Sequence, residues 1–223
     1  VELGIEFLMK DNKKGFFLMA EGGKIDYAGH SDDGGACFRE VQDLDEAVKV
    51  AFEFYKQHPK ETLIVVTADH ETGGLGLGNG AYAQNLKVLQ HQKASVAQTT
   101  KKLAALRKDG HKPTWEEAKA VLGQCFGLFT KVEVNWRDEA ELRKVFEDRN
   151  GQTERSLYQS DDALAASARI LLQRIAMLSW ASYSHSNAYV PVFAIGAGAE
   201  QFHGRMNNID IPMTIAKLGG YKK

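Results

Sequence analysis

The chain has 223 residues, of which 43% are hydrophobic and 26% charged, fractions that are ordinary for a soluble globular protein. Its 28 basic and 29 acidic residues nearly cancel, and the formal net charge is −1. A nucleic-acid-binding protein carries a basic excess, so this class is excluded. No stretch approaches the ~18 consecutive apolar residues of a membrane-spanning helix, so no membrane span is predicted. The length predicts one sizeable core with an insertion.

The chain begins at Val1 rather than Met, and residues 1–17 are predicted to be helical without a capping residue before them. We therefore expect a sequence cut from a longer chain, with a mature protein after signal removal as the alternative. Cys37 and Cys125 are too few for a disulfide framework and too far apart for a close metal-ligand pair. A single disulfide stays open for an exported protein.

Strand and helix patterns alternate in the first part of the chain. The apolar run 16–20 predicts a buried strand, and an amphipathic helix is predicted over about 44–58, with Asp43 as its N-cap and Pro59 as its stop. The β-branched run 62–67 does not alternate, which is typical of a strand buried on both faces. Strand, helix and strand in this order predict a βαβ unit with a parallel sheet.

The pattern becomes helical from about residue 80 to residue 179. Its predicted elements are a helix over 84–109, a helix after the capping box Thr114–Glu117, and helices at 136–148 and 161–178, the last capped by Ser160 or Asp161. A strand at 191–195 and a helix near 210–218 follow. The sequence therefore predicts an α/β core from residues 1–79 and 180–223, interrupted by a helical insertion at 80–179.

Asp26 and His30 lie four positions apart in the stretch EGGKIDYAGH. One helical turn puts such a carboxylate and imidazole on the same face, where they suit a cation such as Zn²⁺ that accepts both oxygen and nitrogen ligands. A surface salt bridge is the alternative interpretation of this common spacing. Glu21, at the end of the apolar run, and the two nearby glycines favour the metal site.

Asp69 and His70 stand where the predicted strand 62–67 ends. Ligands of open α/β sheets bind outside the carboxyl ends of strands, so the position favours function over an ordinary exposed turn. Both side chains can face one metal only if the strand breaks there, and the Gly73–Gly74 pair allows such a break. His185, in the stretch YSHSN, is a candidate ligand only in combination with the other two stretches.

Three segments, GFFLMAEGGKIDYAGH, ETLIVVTADHETGG and SHSNAYVPVFAIGAGAEQFHG, resemble in this order the C-terminal half of bacterial alkaline phosphatases. The resemblance implies an α/β fold with a three-layer α/β/α core, of which this chain carries a partial sheet, and it places the helical insertion where the family has a variable crown-like segment. It implies phosphate monoesters as substrates and a periplasmic or secreted protein. A homodimer is compatible with it.

The resemblance also implies a metal role for six residues. Asp26, His30 and His185 match the protein ligands of the family's first zinc. Asp69 and His70 match two ligands of its second zinc, and Glu21 matches a ligand of the nearby magnesium. Two such cations stabilise the entering and leaving oxygens of an in-line phosphoryl displacement.

The resemblance provides no match for the family's nucleophilic Ser, its bridging Asp or its phosphate-binding Arg, which precede the matched region. Ser31 and Ser184 lie beside predicted ligands but lack the expected surroundings, and neither Arg39 nor Arg205 has the expected context. We assign no catalytic nucleophile, and we expect the chain by itself to be catalytically incomplete.

Two alternatives stay open. Phosphodiesterases, sulfatases and cofactor-independent phosphoglycerate mutases share the Asp/His ligand pattern, although the motifs favour the phosphatase branch. A non-catalytic metal-binding or interaction module, with residues 80–179 as its contact surface, is the alternative from another class.

Overall fold

The computed structural model of the chain describes residues 1–10, 14–80, 82–155 and 160–221. The α-helices in these ranges are α1 (Glu2–Met9), α2 (Gly23–His30), α3 (Gly34–Gln57), α4 (Val96–Leu106), α5 (Trp115–Phe126), α6 (Trp136–Arg149), α7 (Ala163–Ile175) and α8 (Asp210–Leu218). The strands are β1 (Leu63–Val66), β2 (Glu71–Thr72), β3 (Thr153–Arg155), β4 (Ser160–Asp162), β5 (His185–Ser186) and β6 (Phe193–Gly196). Of the predicted N-terminal helix, residues 11–13 lie outside the described residues.

The described chain divides into two compact units. We call Val1–Gly22, Gln42–Glu71 and Asn187–Lys223 the sheet unit, and Gly23–Val41 with Thr72–Ser186 the helical unit. Helix α3 contributes its first residues to the helical unit and the rest to the sheet unit. The predicted domain boundaries at 79/80 and 179/180 stay a prediction.

The main pair of strands in the sheet unit is antiparallel. Strand β1 pairs with β6 in a register that places Leu63 opposite Gly196 and Val66 opposite Phe193. The prediction of a parallel sheet is therefore wrong for β1 and β6. The prediction that this strand is buried on both faces is also wrong, because all four residues of β1 are only half-buried.

Residues 16–20 do not form the predicted strand, because their backbone pairs with no described strand and most of their side chains are exposed. A strand needs a neighbour to satisfy its N–H and C=O groups, and an apolar run alone does not supply one. The predicted βαβ unit accordingly lacks its first strand among the described residues.

Helix α3 begins about ten residues before the predicted start, so Asp43 lies inside the helix and is not its N-cap. The helix starts directly after Asp33, whose Oδ1 accepts a hydrogen bond from the Ala36 N–H at 3.1 Å. Gly34 and Gly35 obscured this start, because glycine is a poor helix former. The predicted stop before Pro59 is confirmed, since α3 ends at Gln57.

The helical unit contains the apolar core, which α4, α5, α6 and α7 build together. Its largest fully buried apolar side chains are Phe126, Leu103, Leu122, Leu128, Leu164 and Leu172. The predicted helix over 84–109 is broken into a 3₁₀ segment, Leu86–His91, and α4. Between them the N–H groups of Lys93 and Ala94 donate to the Cys125 carbonyl, and Ser95 then starts α4 with a capping box.

Helix α7 is capped by Asp162, whose side chain accepts a hydrogen bond from the Leu164 N–H at 2.9 Å. The predicted caps, Ser160 and Asp161, instead belong to strand β4, which pairs antiparallel with β3. Helices α6 and α8 agree closely with the predicted 136–148 and 210–218.

Neither Cys37 nor Cys125 forms a disulfide in the described part of the chain. Among the described helices, none is both long and apolar enough to cross a membrane.

The capping box of α5 confirms a sequence prediction, since Thr114 Oγ1 accepts from the Glu117 N–H while Glu117 Oε2 accepts from the Thr114 N–H. The same N–H of Thr114 is the main reason that the pKa of Glu117 is lowered.

We predict that Thr114→Ala lowers the free energy of unfolding by about 1 kcal/mol, because it leaves a helix N–H without its acceptor. Urea denaturation measures the loss.

Thr114→Ser is the matched control, because it keeps the hydroxyl acceptor, and it should retain most of the stability. A loss as large for Ser as for Ala would contradict the hydrogen-bond explanation.

Candidate metal centre

Helix α2 places the first two predicted ligands on one face of the helical unit. The separation between Asp26 Oδ1 and His30 Nε2 is 3.3 Å. His30, the last residue of the helix, is 1% exposed, whereas Asp26 is half-buried. The carboxylate is therefore the more accessible member of the pair, and the imidazole is held inside the unit.

His185, next to the last residue of the same unit in sequence, lies close to this pair. Its Nε2 lies 3.1 Å from His30 Nε2 and 3.9 Å from Asp26 Oδ1. The two imidazole rings lie 5.0 Å apart at an angle of 44°. The His185 side chain is 44% exposed, so the cluster is open to solvent on this side.

The tautomer of His30 follows from its second nitrogen. His30 Nδ1 lies 2.7 Å from the carbonyl oxygen of Tyr183, and a carbonyl oxygen can only accept a hydrogen bond. Nδ1 therefore carries a proton, and in the neutral form of the ring Nε2 is the lone-pair nitrogen that faces Asp26 and His185. A backbone acceptor on the far nitrogen is the usual arrangement for a histidine that binds a metal.

Thr72 orients the carboxylate of the cluster, since its Oγ1 donates to Asp26 Oδ1 at 2.7 Å. Gly73 adopts a positive φ of 88°, and its N–H donates to the Ser184 carbonyl at 2.9 Å. These backbone bonds bring the segment after β2 alongside the residues before His185. The break predicted at Gly73–Gly74 is present, because both glycines have positive φ.

The three atoms fit a zinc site. With zinc–ligand distances of about 2.0–2.1 Å, neighbouring ligand atoms of a tetrahedral site lie about 3.3 Å apart. The observed separations among His30 Nε2, Asp26 Oδ1 and His185 Nε2 are 3.1, 3.3 and 3.9 Å. Two imidazole nitrogens and one carboxylate oxygen also form a donor set that Zn²⁺ accepts.

The other three predicted ligands belong to the sheet unit and are described there by themselves. Asp69 and His70 follow β1: the His70 N–H donates to Asp69 Oδ1 at 3.1 Å, and His70 Nε2 lies 3.4 Å from Asp69 Oδ2. The Asp69 side chain is 85% exposed, so its carboxylate is accessible. Glu21 is exposed at the end of the apolar segment 16–20.

A half-buried carboxyl group, Asp32, and a buried one, Asp33, lie two and three residues after His30. Burial raises the pKa of Asp32 to about 6, although the nearby Arg169 guanidinium opposes this shift. Burial also raises the pKa of Asp33, against hydrogen bonds from Gln92, Val96 and Ala36. Burial therefore disfavours ionisation of both carboxyl groups, and carboxyl groups perturbed in this way are frequent at functional sites.

Sequence reasoning missed two groups that contact the candidate ligands: the Thr72 hydroxyl and the Tyr183 carbonyl. Thr72 is polar and lies two residues after His70, which is a weak sequence signal. A backbone carbonyl has no sequence signal, because every residue carries one.

An α/β fold with a convergent aspartate and two histidines is typical of metal-dependent enzymes. The family model described as alkaline phosphatase matches residues 1–221. The chain therefore belongs to the alkaline phosphatase family, as the motifs predict.

Named relatives support this membership. Alkaline phosphatase 4 of Bacillus subtilis is 34% identical over 94% of this chain and 41% of the relative, and alkaline phosphatase 3 of the same organism is 31% identical over 97% of this chain and 42% of the relative. The crystal structure of a cold-active alkaline phosphatase from a psychrophilic Shewanella species matches 94% of this chain and 47% of that chain, with 29% identity and a TM-score of 0.77. The predicted α/β fold class is confirmed, and the chain spans about two fifths of the curated relatives it matches.

We predict that His30 is observed as the Nδ1–H tautomer in the metal-free protein, because the Tyr183 carbonyl accepts only from a protonated Nδ1. Long-range ¹H–¹⁵N correlation spectra at about pH 8.5, where an ordinary imidazole is neutral, distinguish the two tautomers. His111, an exposed histidine whose Nε2 lies 3.2 Å from Glu117, is the internal comparison and should not show the same pattern. An Nε2–H signal from His30 would contradict the prediction.

Proposed function

We propose that this chain carries the first zinc site of a metal-dependent phosphomonoesterase, with Asp26, His30 and His185 as the protein ligands. The proposal rests on the convergence of three ligand atoms within 3.9 Å of one another in the helical unit. Membership of the alkaline phosphatase family supports the reaction class. A zinc ion bound there would supply a Lewis acid for a phosphate oxygen and a bound water with a pKa of about 7.

The residues of the chain prepare this site in three ways. The Tyr183 carbonyl keeps the lone pair of His30 Nε2 directed at the cluster, and the Thr72 hydroxyl orients the Asp26 carboxylate. The half-exposed edge of His185 leaves a path by which a phosphate ester and water can reach the site. One carboxylate and two neutral imidazoles leave a net positive charge on a bound zinc, which attracts a phosphate dianion.

We extend the proposal to the remaining predicted ligands: Asp69 and His70 hold a second zinc, and Glu21 contributes to a magnesium site. The accessible carboxylate of Asp69 beside His70 supports the former, and the exposure of Glu21 after the segment 16–20 supports the latter. The nucleophilic Ser and the phosphate-binding Arg are proposed to lie outside these 223 residues, since no residue matches them. A periplasmic or secreted location stays a prediction, and so does a homodimer.

Zinc titration tests the first site. We predict that the chain binds zinc above pH 7 and that Asp26→Ala or His185→Ala weakens binding on the order of 100-fold, because each removes one of three protein ligands. Isothermal calorimetry measures the affinity. The pH must keep the imidazoles neutral, since protonated histidine cannot bind a metal.

His111→Ala is the matched control, because it also removes a histidine from the helical unit but one that pairs only with Glu117 among the described contacts. It should bind zinc like the wild type. Equal zinc binding by His185→Ala and His111→Ala would contradict the ligand assignment. A wild-type chain that binds no zinc would favour a bare scaffold.

Hydrolysis tests the assignment of the nucleophile. We predict that the 223-residue chain with added Zn²⁺ and Mg²⁺ hydrolyses p-nitrophenyl phosphate at the background rate, because no residue matches the nucleophilic Ser. Full-length alkaline phosphatase 4 of Bacillus subtilis serves as the positive control. Activity above background that disappears in His185→Ala would show that the chain is catalytically complete.

A further inference from the structure

Asp33 is a buried carboxylate three residues beyond the proposed ligand His30, and it is 1% exposed. Its Oδ1 accepts from the Ala36 N–H at 3.1 Å and from Gln92 Nε2 at 2.6 Å. Its Oδ2 accepts from the Val96 N–H at 2.8 Å. Few carboxylates are buried this completely, and one that is must be compensated by its partners.

Two of these partners are helix N-termini. Ala36 lies in the first turn of α3, so Asp33 acts as the N-cap of that helix. Val96 is the first residue of α4, whose own cap is Ser95. The unpaired N–H groups and the dipole at a helix N-terminus attract a negative charge, and here two helices share one carboxylate.

A short turn joins Asp33 to His30, the last residue of helix α2. In this turn Asp32 lies in the left-handed region at a φ of 47°. The Asp33 N–H donates to the Ala28 carbonyl at 2.9 Å, and the Asp32 N–H donates to the Gly29 carbonyl at 3.0 Å. This pair of bonds is the Schellman arrangement that closes a helix. The orientation of His30 is therefore tied to the place where Asp33 is held.

The packing around this turn leaves little room for adjustment. A Cβ added to Gly35 would overlap Gln92 Oε1, and one added to Gly34 would lie 2.5 Å from Gln173 Oε1. The start of α3 is thus pressed against Gln92, the same residue that donates to Asp33. A change in the Asp33–Gln92 pair must move the turn rather than be absorbed by empty space.

We propose that Asp33 is a positioning residue for the metal centre, and that it couples zinc binding at Asp26, His30 and His185 to the N-terminus of α4. The inference rests on the proposed function, since it concerns the same zinc site. Loss of the carboxylate lets the turn after His30 shift and weakens zinc binding. Because coupling is reciprocal, zinc binding in turn stabilises the Asp33 hydrogen bonds to α3 and α4.

The first test measures zinc affinity in Asp33→Asn, which keeps the shape but replaces one acceptor oxygen by a donor that faces the N–H of Val96 or Gln92. We expect about a tenfold weaker zinc affinity, the lower end of the range for residues that orient metal ligands. Gln92→Met, which keeps the Asp33 carboxyl group and removes a hydrogen bond to it, should also weaken zinc binding. Thr114→Ala loses a helix cap elsewhere in the helical unit and should leave zinc affinity unchanged.

The second test needs no variant and applies even where Asp33→Asn fails to fold. Amide hydrogen exchange of the wild-type chain is compared with and without zinc. The Ala36 and Val96 amides should gain more protection than the Glu117 amide, which is held by the Thr114 cap in a comparable way. Such a local gain is not produced by a general rise in stability, which would slow exchange through global unfolding at all three amides alike.

The outcomes separate the two proposals. A wild-type chain that binds no zinc overturns the proposed function and this inference with it. If the wild type binds zinc, this inference alone is overturned by an affinity of Asp33→Asn within twofold of the wild type, or by equal protection gains at Val96 and Glu117. An effect of Asp33→Asn without any effect of Gln92→Met would indicate charge acting through space and would also overturn it.

Discussion

The hydrogen bond from His30 Nδ1 to the Tyr183 carbonyl is the interaction on which the proposed metal centre depends. A buried imidazole can present either nitrogen as its lone-pair donor, and the two choices differ by which atom carries one proton. The carbonyl removes this freedom, because it accepts and cannot donate. Nε2 is then left facing the Asp26 carboxylate and His185 at 3.3 and 3.1 Å. The other contacts of the centre hold these partners in place.

Backbone hydrogen bonds around Gly73 help to hold these partners in place. A Cβ at this position would lie 2.6 Å from the Trp180 ring, and the φ of 88° is one that glycine adopts without steric cost. Glycine therefore lets the segment after β2 approach residues 180–184 closely enough for backbone hydrogen bonds. That approach places the Thr72 hydroxyl on Asp26 and sets the direction from which His185 enters. Gly73 therefore helps to determine the geometry of the site although it is not one of the candidate ligands.

Local chemistry explains which elements could be predicted. The Thr114–Glu117 capping box, the stop of α3 before Pro59 and the bounds of α6 and α8 depend on neighbouring residues, and the structure agrees with them. The strand expected at 16–20 and the parallel sheet depended on pairing partners that a sequence pattern cannot supply. Residues 16–20 form no strand, and β1 pairs antiparallel with β6, so both predictions were wrong there. The start of α3 could not be predicted from the sequence, because the helix that Asp33 caps begins with two glycines, and glycine is a poor helix former.

The sequence by itself determined the family, the α/β fold class and a short set of candidate ligands, because motif spacing and residue chemistry are local properties. The spacing of Asp26 and His30 predicts a shared helix face, and the structure shows them 3.3 Å apart. Only the tertiary structure decided that His185, 155 positions from His30, meets this pair. It also decided that the Tyr183 carbonyl sets the tautomer and that Asp33 joins the N-termini of α3 and α4. These contacts link distant parts of the chain through backbone groups that every residue carries, so side-chain identity alone cannot encode them.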